Sequence, residues 1–176
     1  MQKVSKRVTA AILSMSLLTV MAGAAIAPAL GIIRRQFSGE PHLLVQLIVS
    51  LPALFIILTS LFFLPLSRLM RSRSIALLGL CLYVAAGAGC FFCRDIWTLL
   101  SLRAVLGVSV GLIMPLSTGL LAYYFPPEEQ ARLMGLSAAM NQMGGVVATL
   151  LAGLLAEIDW SYAFLVYLLG LIAALM

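Results

Sequence analysis

The fold is decided by one stretch of sequence, LLSLRAVLGVSVGLIMPLSTGLLAYY (residues 99–124), which is apolar over most of its length and holds one charged residue, Arg103. About 20 such residues cross the hydrocarbon core of a bilayer. A charge inside a span is costly, so Arg103 is a candidate functional residue. At 3.6 residues per turn it shares one stripe with Gly107, Gly111, Met114 and Thr118. We expect this stripe to face protein or water rather than lipid.

The composition excludes the soluble classes of protein. Hydrophobic residues make up 63% of the 176 residues, charged residues make up 10%, and the mean hydropathy is +1.13. Ordinary globular domains are about 25% charged. The apolar runs are longer than barrel strands of about 10 residues and do not alternate, which predicts an all-α membrane protein with the lipid bilayer as its partner. The net charge of +5 comes from residues at the ends of apolar runs, so we expect no nucleic-acid partner.

The chain divides into six predicted spans, numbered 1 to 6 in chain order: residues 8–33, 43–66, 75–93, 96–124, 133–156 and 162–176. Span 1 is too long for the apolar core of a cleaved signal peptide. Span 6 rises about 22 Å before the sequence stops, less than the hydrocarbon core of about 30 Å. We therefore expect residues 1–176 to be one N-terminal six-helix bundle whose C-terminal half is absent.

Basic residues predict the orientation. With the N-terminus in the cytoplasm, the cytoplasmic segments hold Lys3, Lys6, Arg7, Arg68, Arg71, Arg73 and Arg132, and the outer loops hold Arg34, Arg35 and Arg94. Under the positive-inside rule this distribution favours a multi-pass protein of the plasma or inner membrane with a cytoplasmic N-terminus.

Polar side chains separate the spans into two kinds. Spans 1, 2, 4 and 5 carry polar residues, whereas spans 3 and 6 carry no Ser, Thr, Asn, Gln or charge in their cores. Because polar groups in hydrocarbon pair with each other or face a wet cavity, we expect four spans to line a cavity and two to face lipid. The candidates for cavity lining outside span 4 are Ser16, Thr19, Gln46, Ser50, Asn141 and Gln142. Helix packing remains an alternative for the span 1 residues, Asn141 and Gln142, and it is the role expected for Gly144, Ala148, Ala152 and Gly153.

Prolines at similar places in two spans indicate a duplication. Pro28 lies late in span 1 and Pro115 lies late in span 4, about half the chain further on. Spans 1 and 4 run in opposite directions, so two three-helix units would be related by inverted topology.

Catalytic and metal-binding patterns are not found in the sequence. No nucleophile, base and orienting group are clustered, and no phosphate-binding loop is present. Cys90 and Cys93 have the spacing of a metal pair but no second pair and no nearby His. We expect neither an enzyme nor a cofactor or metal site.

The span 4 pattern Leu99, Arg103, Gly107 resembles the major facilitator superfamily, most closely its drug/proton antiporter branch, with Leu106 where that branch has Gln. Two further motifs match in part. In the loop after span 2, Leu66 and Arg73 fit but Arg68 replaces an acidic residue. In span 5, the small residues of the antiporter motif align with Gly144, Ala148, Thr149, Ala152 and Gly153, without its proline. The resemblance implies that Arg103 faces a central cavity and takes part in proton or substrate coupling. Because Gly107, Met114 and Thr118 share its stripe, we expect them to line the same cavity.

The resemblance implies a secondary transporter that works by alternating access, and its antiporter branch implies efflux coupled to protons. A lining rich in Ala, Met, Leu and Ser predicts a small, partly apolar substrate. No Asp or Glu lies inside the spans, so the proton-carrying acid of an antiporter is expected in the absent half, and a facilitator or another driving ion is the alternative. Three further alternatives remain open. The chain is a complete six-helix protein that works as a homodimer, adaptor or sensor, or it is an inactive truncated fragment. Arg103 itself has the alternative of extending its long side chain to the headgroups, Asp95 or Asp159.

Overall fold

The computed structural model describes residues 6–24 and 26–168. These residues form six α-helices and one short 3-10 helix: α1 (Lys6–Ala24), α2 (Leu30–Gln36), α3 (His42–Leu69), α4 (Ser72–Phe92), α5 (Ile96–Tyr124), α6 (Pro127–Ala156) and the 3-10 helix (Trp160–Leu165). Helices α3, α4, α5 and α6 are each long and apolar enough to cross a membrane, and α1 holds a shorter apolar stretch, Ile12–Ala24. The predicted all-α membrane fold is therefore confirmed.

Span 1, predicted as one continuous helix, is interrupted. Helix α1 ends at Ala24, and the next helix, α2, begins at Leu30. Pro28 lies in this interval, and proline cannot supply the N–H that a continuing helix requires. Where a regular α-helix would bond Ile26 to Ala22, the Ile26 N–H donates instead to the Gly23 carbonyl at 3.4 Å. The prediction of a single span 1 helix was thus wrong.

The other helix ends differ from the predictions by a few residues. Helix α6 begins at Pro127, six residues before the predicted start, because proline is well suited to the first helical position and Glu128 and Glu129 favour the first turn. Span 6 begins as the 3-10 helix at Trp160, and its residues 169–176 lie outside the described part of the chain.

Helix α5 is the centre of the bundle. It contacts α3 and α4 extensively and α1 to a lesser degree. The Asp95 carboxylate caps its N-terminus by accepting hydrogen bonds from the backbone N–H groups of Trp97 (3.1 Å) and Thr98 (3.0 Å). Its C-terminal carbonyls of Ala122 and Phe125 accept from the Gln130 amide at 2.9 and 2.7 Å. Both ends of the helix that carries Arg103 are therefore fixed by side chains.

Glycines allow α5 to approach α3 closely. A Cβ atom at Gly107 would lie 2.5 Å from the Pro52 carbonyl oxygen and 2.9 Å from the Phe55 Cβ. At Gly111 it would lie 2.7 Å from the Thr59 Cβ. Gly107, which the sequence predicts on a cavity wall, thus packs closely against the α3 backbone, and its lining role stays a prediction.

The α1–α6 contact resembles the α5–α3 contact. Gly144 and Gly145 of α6 lie against Leu17 and Val20 of α1. The other three residues expected to pack helices also lie along this helix: Ala148 and Ala152 are fully buried, and a Cβ at Gly153 would lie 3.6 Å from the Pro28 Cβ. In the predicted inverted repeat, span 1 corresponds to span 4 and span 2 corresponds to span 5. The contact of α1 (span 1) with α6 (span 5) therefore corresponds to the contact of α5 (span 4) with α3 (span 2), and the packing fits this repeat.

We expect Gly107→Ala to lower the thermal unfolding midpoint in detergent by several degrees. Its methyl group would meet rigid backbone, and overpacking costs about 1–3 kcal/mol, against a gain of about 1 kcal/mol from helix propensity. Gly119→Ala is the matched control, because Gly119 lies on the same helix and a Cβ there would have no neighbouring atom within 4 Å. Equal midpoints for the two variants would contradict the close α3–α5 contact.

The Asp159 cap of the 3-10 helix predicts a pH dependence. Hydrogen bonds from the Ser161 hydroxyl (2.7 Å) and backbone N–H (2.8 Å) lower the pKa of Asp159 from its ordinary 3.8. A lowered folded-state pKa gives stability that is complete above the ordinary pKa and disappears as the pH falls through the lowered one. Asp159→Ala should therefore lower the unfolding midpoint at pH 7, and the difference from the parent should shrink as the pH falls below about 4. A difference independent of pH would contradict the cap.

Candidate functional site

Arg103 is the most unusual side chain of the bundle, because it is charged and only 1% exposed. Its Nε donates a hydrogen bond to the Ile48 carbonyl of α3 at 3.0 Å. Its Nη1 donates to the Tyr167 hydroxyl at 2.6 Å and to the Ala22 carbonyl of α1 at 3.5 Å. The Tyr167 hydroxyl in turn donates to the Ala22 carbonyl at 3.0 Å. The guanidinium thus joins α1, α3, α5 and the start of span 6.

Both carbonyl acceptors are free because a helix is irregular beside them. Pro52 lies four residues after Ile48 and has no N–H, so the Ile48 carbonyl lacks its helical donor. Ala22 lies in the last turn of α1, where carbonyls lack helical partners and the helix dipole is negative. Arg103 supplies hydrogen bonds that the two helices cannot supply themselves.

The hydrogen-bond partners of Arg103 among the described residues are all uncharged. Asp95 and Asp159, which the headgroup-reaching alternative would use, instead cap α5 and the 3-10 helix. Within the described ranges, Nη2 donates to no protein acceptor. A buried cation whose charge is offset by dipoles alone favours a nearby anion.

A cavity of about 280 Å³ lies beside Arg103, between α1, α3 and α5. Arg103 and Thr19 supply its polar side chains, and apolar residues such as Val20, Ile26 and Ala53 supply much of the remaining wall. An apolar cavity with a few polar groups is typical of small-molecule sites, and this one approaches their usual size. The arrangement can hold an apolar molecule and pair one negative group with the cation.

A second cavity, of about 460 Å³, lies between α1 and α6. Gln142 and Thr149 supply its polar side chains, and Val20 of α1 borders both cavities. The Thr149 hydroxyl donates to the Gly145 carbonyl at 2.8 Å and to the Ala24 carbonyl at 3.4 Å. Helix α1 therefore stands between a cationic cavity and an amide-bearing one.

Three of the predicted lining residues border these cavities: Arg103, Thr19 and Gln142. Four others are exposed on the surface of the bundle, namely Gln46, Ser50, Met114 and Thr118. Ser16 is buried and donates to the Ile12 carbonyl of its own helix at 3.3 Å. The Asn141 side-chain oxygen is buried with no hydrogen-bond partner in the described part of the chain. A lining role for these remaining six stays a prediction.

Tyr167 is the site residue that sequence reasoning missed. Span 6 was expected to face lipid because it holds no Ser, Thr, Asn, Gln or charge, and that count left out the tyrosine hydroxyl. Tyr167 is in fact 1% exposed and bonded to Arg103, so the expectation was wrong at this position. A tyrosine well inside an apolar span is the signal that was available. The role of Pro52 in freeing the Ile48 carbonyl was also missed, although its position inside span 2 was evident.

The chain is similar to several curated transporters. It is 38% identical over 61 residues to "Probable anion transporter 4, chloroplastic" of Arabidopsis thaliana, a match over 35% of this chain and 11% of the relative. It is 25% identical over 100 residues to "Multidrug resistance protein 3" of Bacillus subtilis (56% and 20%). It is 24% identical over 134 residues to "Riboflavin transporter RibZ" of Clostridioides difficile (75% and 29%). The matched segments thus span less than a third of each of these relatives.

The sequence model of the Major Facilitator Superfamily matches residues 12–176, which is nearly the whole chain. This match agrees with the all-α bundle. These residues form a multi-pass membrane protein, and the chain belongs to the Major Facilitator Superfamily.

Proposed function

We propose that this chain is the N-terminal six-helix half of a secondary transporter, which moves a small, partly apolar molecule with an anionic group across the membrane by alternating access. A second half, outside this sequence, completes the translocation path. The N-terminus lies in the cytoplasm, as the distribution of basic residues favours. Rocking of the two halves exposes the site to one side of the membrane and then to the other.

The observation that carries the proposal is the guanidinium of Arg103 beside an apolar cavity. The walls of this cavity suit the apolar body of a substrate. The Nη2 group, which donates to no acceptor in the described ranges, suits the negative group of the substrate, because hydrogen bonds between ionised groups are short and strong. The carbonyls that Arg103 binds do not neutralise its charge, and it has no carboxylate partner among the described residues, so an anionic group of the substrate would supply the counter-charge.

The named relatives support this class of substrate. Their names include an anion transporter, a multidrug resistance protein and a transporter of riboflavin. The anion transporter fits the single cation, and the other two fit the apolar wall. We therefore include small organic anions in the substrate class.

More specifically, we propose that the transporter exports its substrate and that this export is coupled to protons. All six acidic residues lie in loops or at helix ends: Glu40, Asp95, Glu128, Glu129, Glu157 and Asp159. None is placed to carry a proton through the membrane from within this half. The titrating acid of a proton-coupled cycle therefore belongs to the second half or is the anionic group of the substrate.

Arg103→Ala should reduce transport of the anionic substrate at least tenfold without loss of membrane insertion. A hydrogen bond to a charged group contributes about 1.5–3 kcal/mol, and about 1.4 kcal/mol corresponds to a factor of ten. The measurement is uptake and efflux by the full-length protein in proteoliposomes, screened with pairs of carboxylates and their neutral amides. Arg103→Lys should retain part of the activity because it keeps the charge but not the planar fork.

Arg35→Ala is the matched control, since Arg35 is exposed at the end of α2. Its transport rate should equal that of the parent. Equal rates for Arg103→Ala and the parent, or a preference for the neutral amides, would contradict the proposal. A full-length protein that moves no compound of either kind would favour the adaptor or sensor alternative.

A further inference from the structure

We infer that Tyr167 is a positioning residue, which holds Nη1 of Arg103 and leaves Nη2, which meets no acceptor among the described residues, for the anionic group of the substrate. This inference rests on the proposed function of Arg103. It adds a residue of span 6 to a site that sequence motifs assign to span 4, and it specifies how the anion is bound.

The polarity of the hydrogen bonds fixes what Tyr167 does. A guanidinium can only donate, so the Tyr167 hydroxyl oxygen must accept from Nη1 over 2.6 Å. The single hydroxyl proton is then left for the Ala22 carbonyl at 3.0 Å. Tyr167 therefore links the cation to the C-terminal end of α1, where the helix dipole is negative.

The ring of Tyr167 is held independently of its hydroxyl. It packs edge-to-face on Tyr83, with centroids 5.8 Å apart, and stacks on Phe164 at 6.1 Å. A Cβ at Gly87 of α4 would lie 2.7 Å from the Tyr167 Cβ, so this side chain also rests on the α4 backbone. Removing the hydroxyl alone should leave the ring where it is.

Counting N–H groups gives the binding mode. Arginine has five, of which the Nε hydrogen serves Ile48. Tyr167 and Ala22 both accept from Nη1 and lie on the same side of it, because they are hydrogen-bonded to each other. The two hydrogens on Nη2 meet no acceptor among the described residues. A carboxylate can then bind through Nη2, whereas the fork of Nε and Nη2 used in side-on bidentate pairs is blocked because Nε already serves Ile48. By holding Nη1, the Tyr167 hydroxyl favours anions that bind through Nη2.

The experiment measures the electrostatic effect of Arg103 inside the cavity. Val49 borders the same cavity and is 43% exposed, so Val49→Cys places a reactive thiol there, in a background with the exposed Cys81 replaced by serine. The rates of reaction with an anionic (2-sulfonatoethyl) and a cationic (2-trimethylammonioethyl) methanethiosulfonate are compared in the full-length protein. Their ratio reports how close the positive charge lies. A parent without the added cysteine measures reaction at Cys90 and Cys93.

Tyr167→Phe should raise the anionic-to-cationic rate ratio, because the released N–H turns to the cavity for a new partner. Bringing the charge about 2 Å closer, from roughly 8 to 6 Å at an effective dielectric constant of about 20, changes each rate about threefold, in opposite directions. Tyr83→Phe is the matched control. Tyr83 is equally buried and touches the same ring, but its hydroxyl has no hydrogen-bond partner among the described residues. Its ratio should equal that of the parent.

Arg103→Ala distinguishes a failure of the proposed function from a failure of the positioning role of Tyr167. It should lower the ratio, and Tyr167→Phe added to it should have no further effect, because the hydroxyl acts through the cation. An unchanged ratio in Arg103→Ala, or no labelling of the cavity thiol, would overturn the proposed function. A lowered ratio in Arg103→Ala together with an unchanged or lowered ratio in Tyr167→Phe would overturn the positioning role alone.

A second series covers the case in which Tyr167→Phe does not fold. Fluorinated tyrosines at position 167 keep the ring and the hydroxyl, but their oxygen is a weaker acceptor for Arg103. The rate ratio should rise with each added fluorine. A ratio that does not change along the series would overturn the role of the hydroxyl.

Discussion

The bundle depends on one interaction, the hydrogen bonding of a buried guanidinium to main-chain carbonyls that two irregular helices leave unpaired. Pro52 frees the Ile48 carbonyl in α3, and the end of α1 frees the Ala22 carbonyl. Unpaired carbonyls inside a membrane would each cost several kcal/mol, and so would an unpaired cation. Each defect therefore compensates for the other. The breaks in the helices and the charge in α5 form a single structural unit.

This unit leaves the positive charge incompletely compensated. Carbonyl and hydroxyl dipoles accept hydrogen bonds from Nε and Nη1 of Arg103, but they carry no net negative charge. If a carboxylate of the protein replaced these partners, it would form a stable ion pair with Arg103, and the cation would then have little affinity for an anionic ligand. Neutral acceptors hold the cation in position and still favour an external anion. The same contacts join α1, α3, α5 and the start of span 6, so motion of these helices relative to one another would change how the cation is held.

Sequence reasoning predicted the parts of this structure that follow from local chemistry. Long apolar runs gave the spans, and the cost of a buried charge singled out Arg103. It failed where tertiary contacts decide. The stripe rule placed Gly107 with Arg103, but helical periodicity does not say which face meets a neighbouring helix, and Gly107 meets Pro52. Tyr167 was missed because the count of polar residues in span 6 did not include the tyrosine hydroxyl. A pairing across 64 positions along the chain also leaves no periodic signal.

The central claim is that the Ile48 carbonyl is bonded to Arg103 rather than to its own helix, and isotope-edited infrared spectroscopy tests it most directly. A ¹³C=¹⁸O label at Ile48 separates the amide I band of this carbonyl from all others. We predict that the band lies at low wavenumber in the parent and moves to higher wavenumber in Arg103→Ala, because Pro52 offers no replacement N–H. An identical band position in both proteins would show that Arg103 does not bind this carbonyl and would contradict the account.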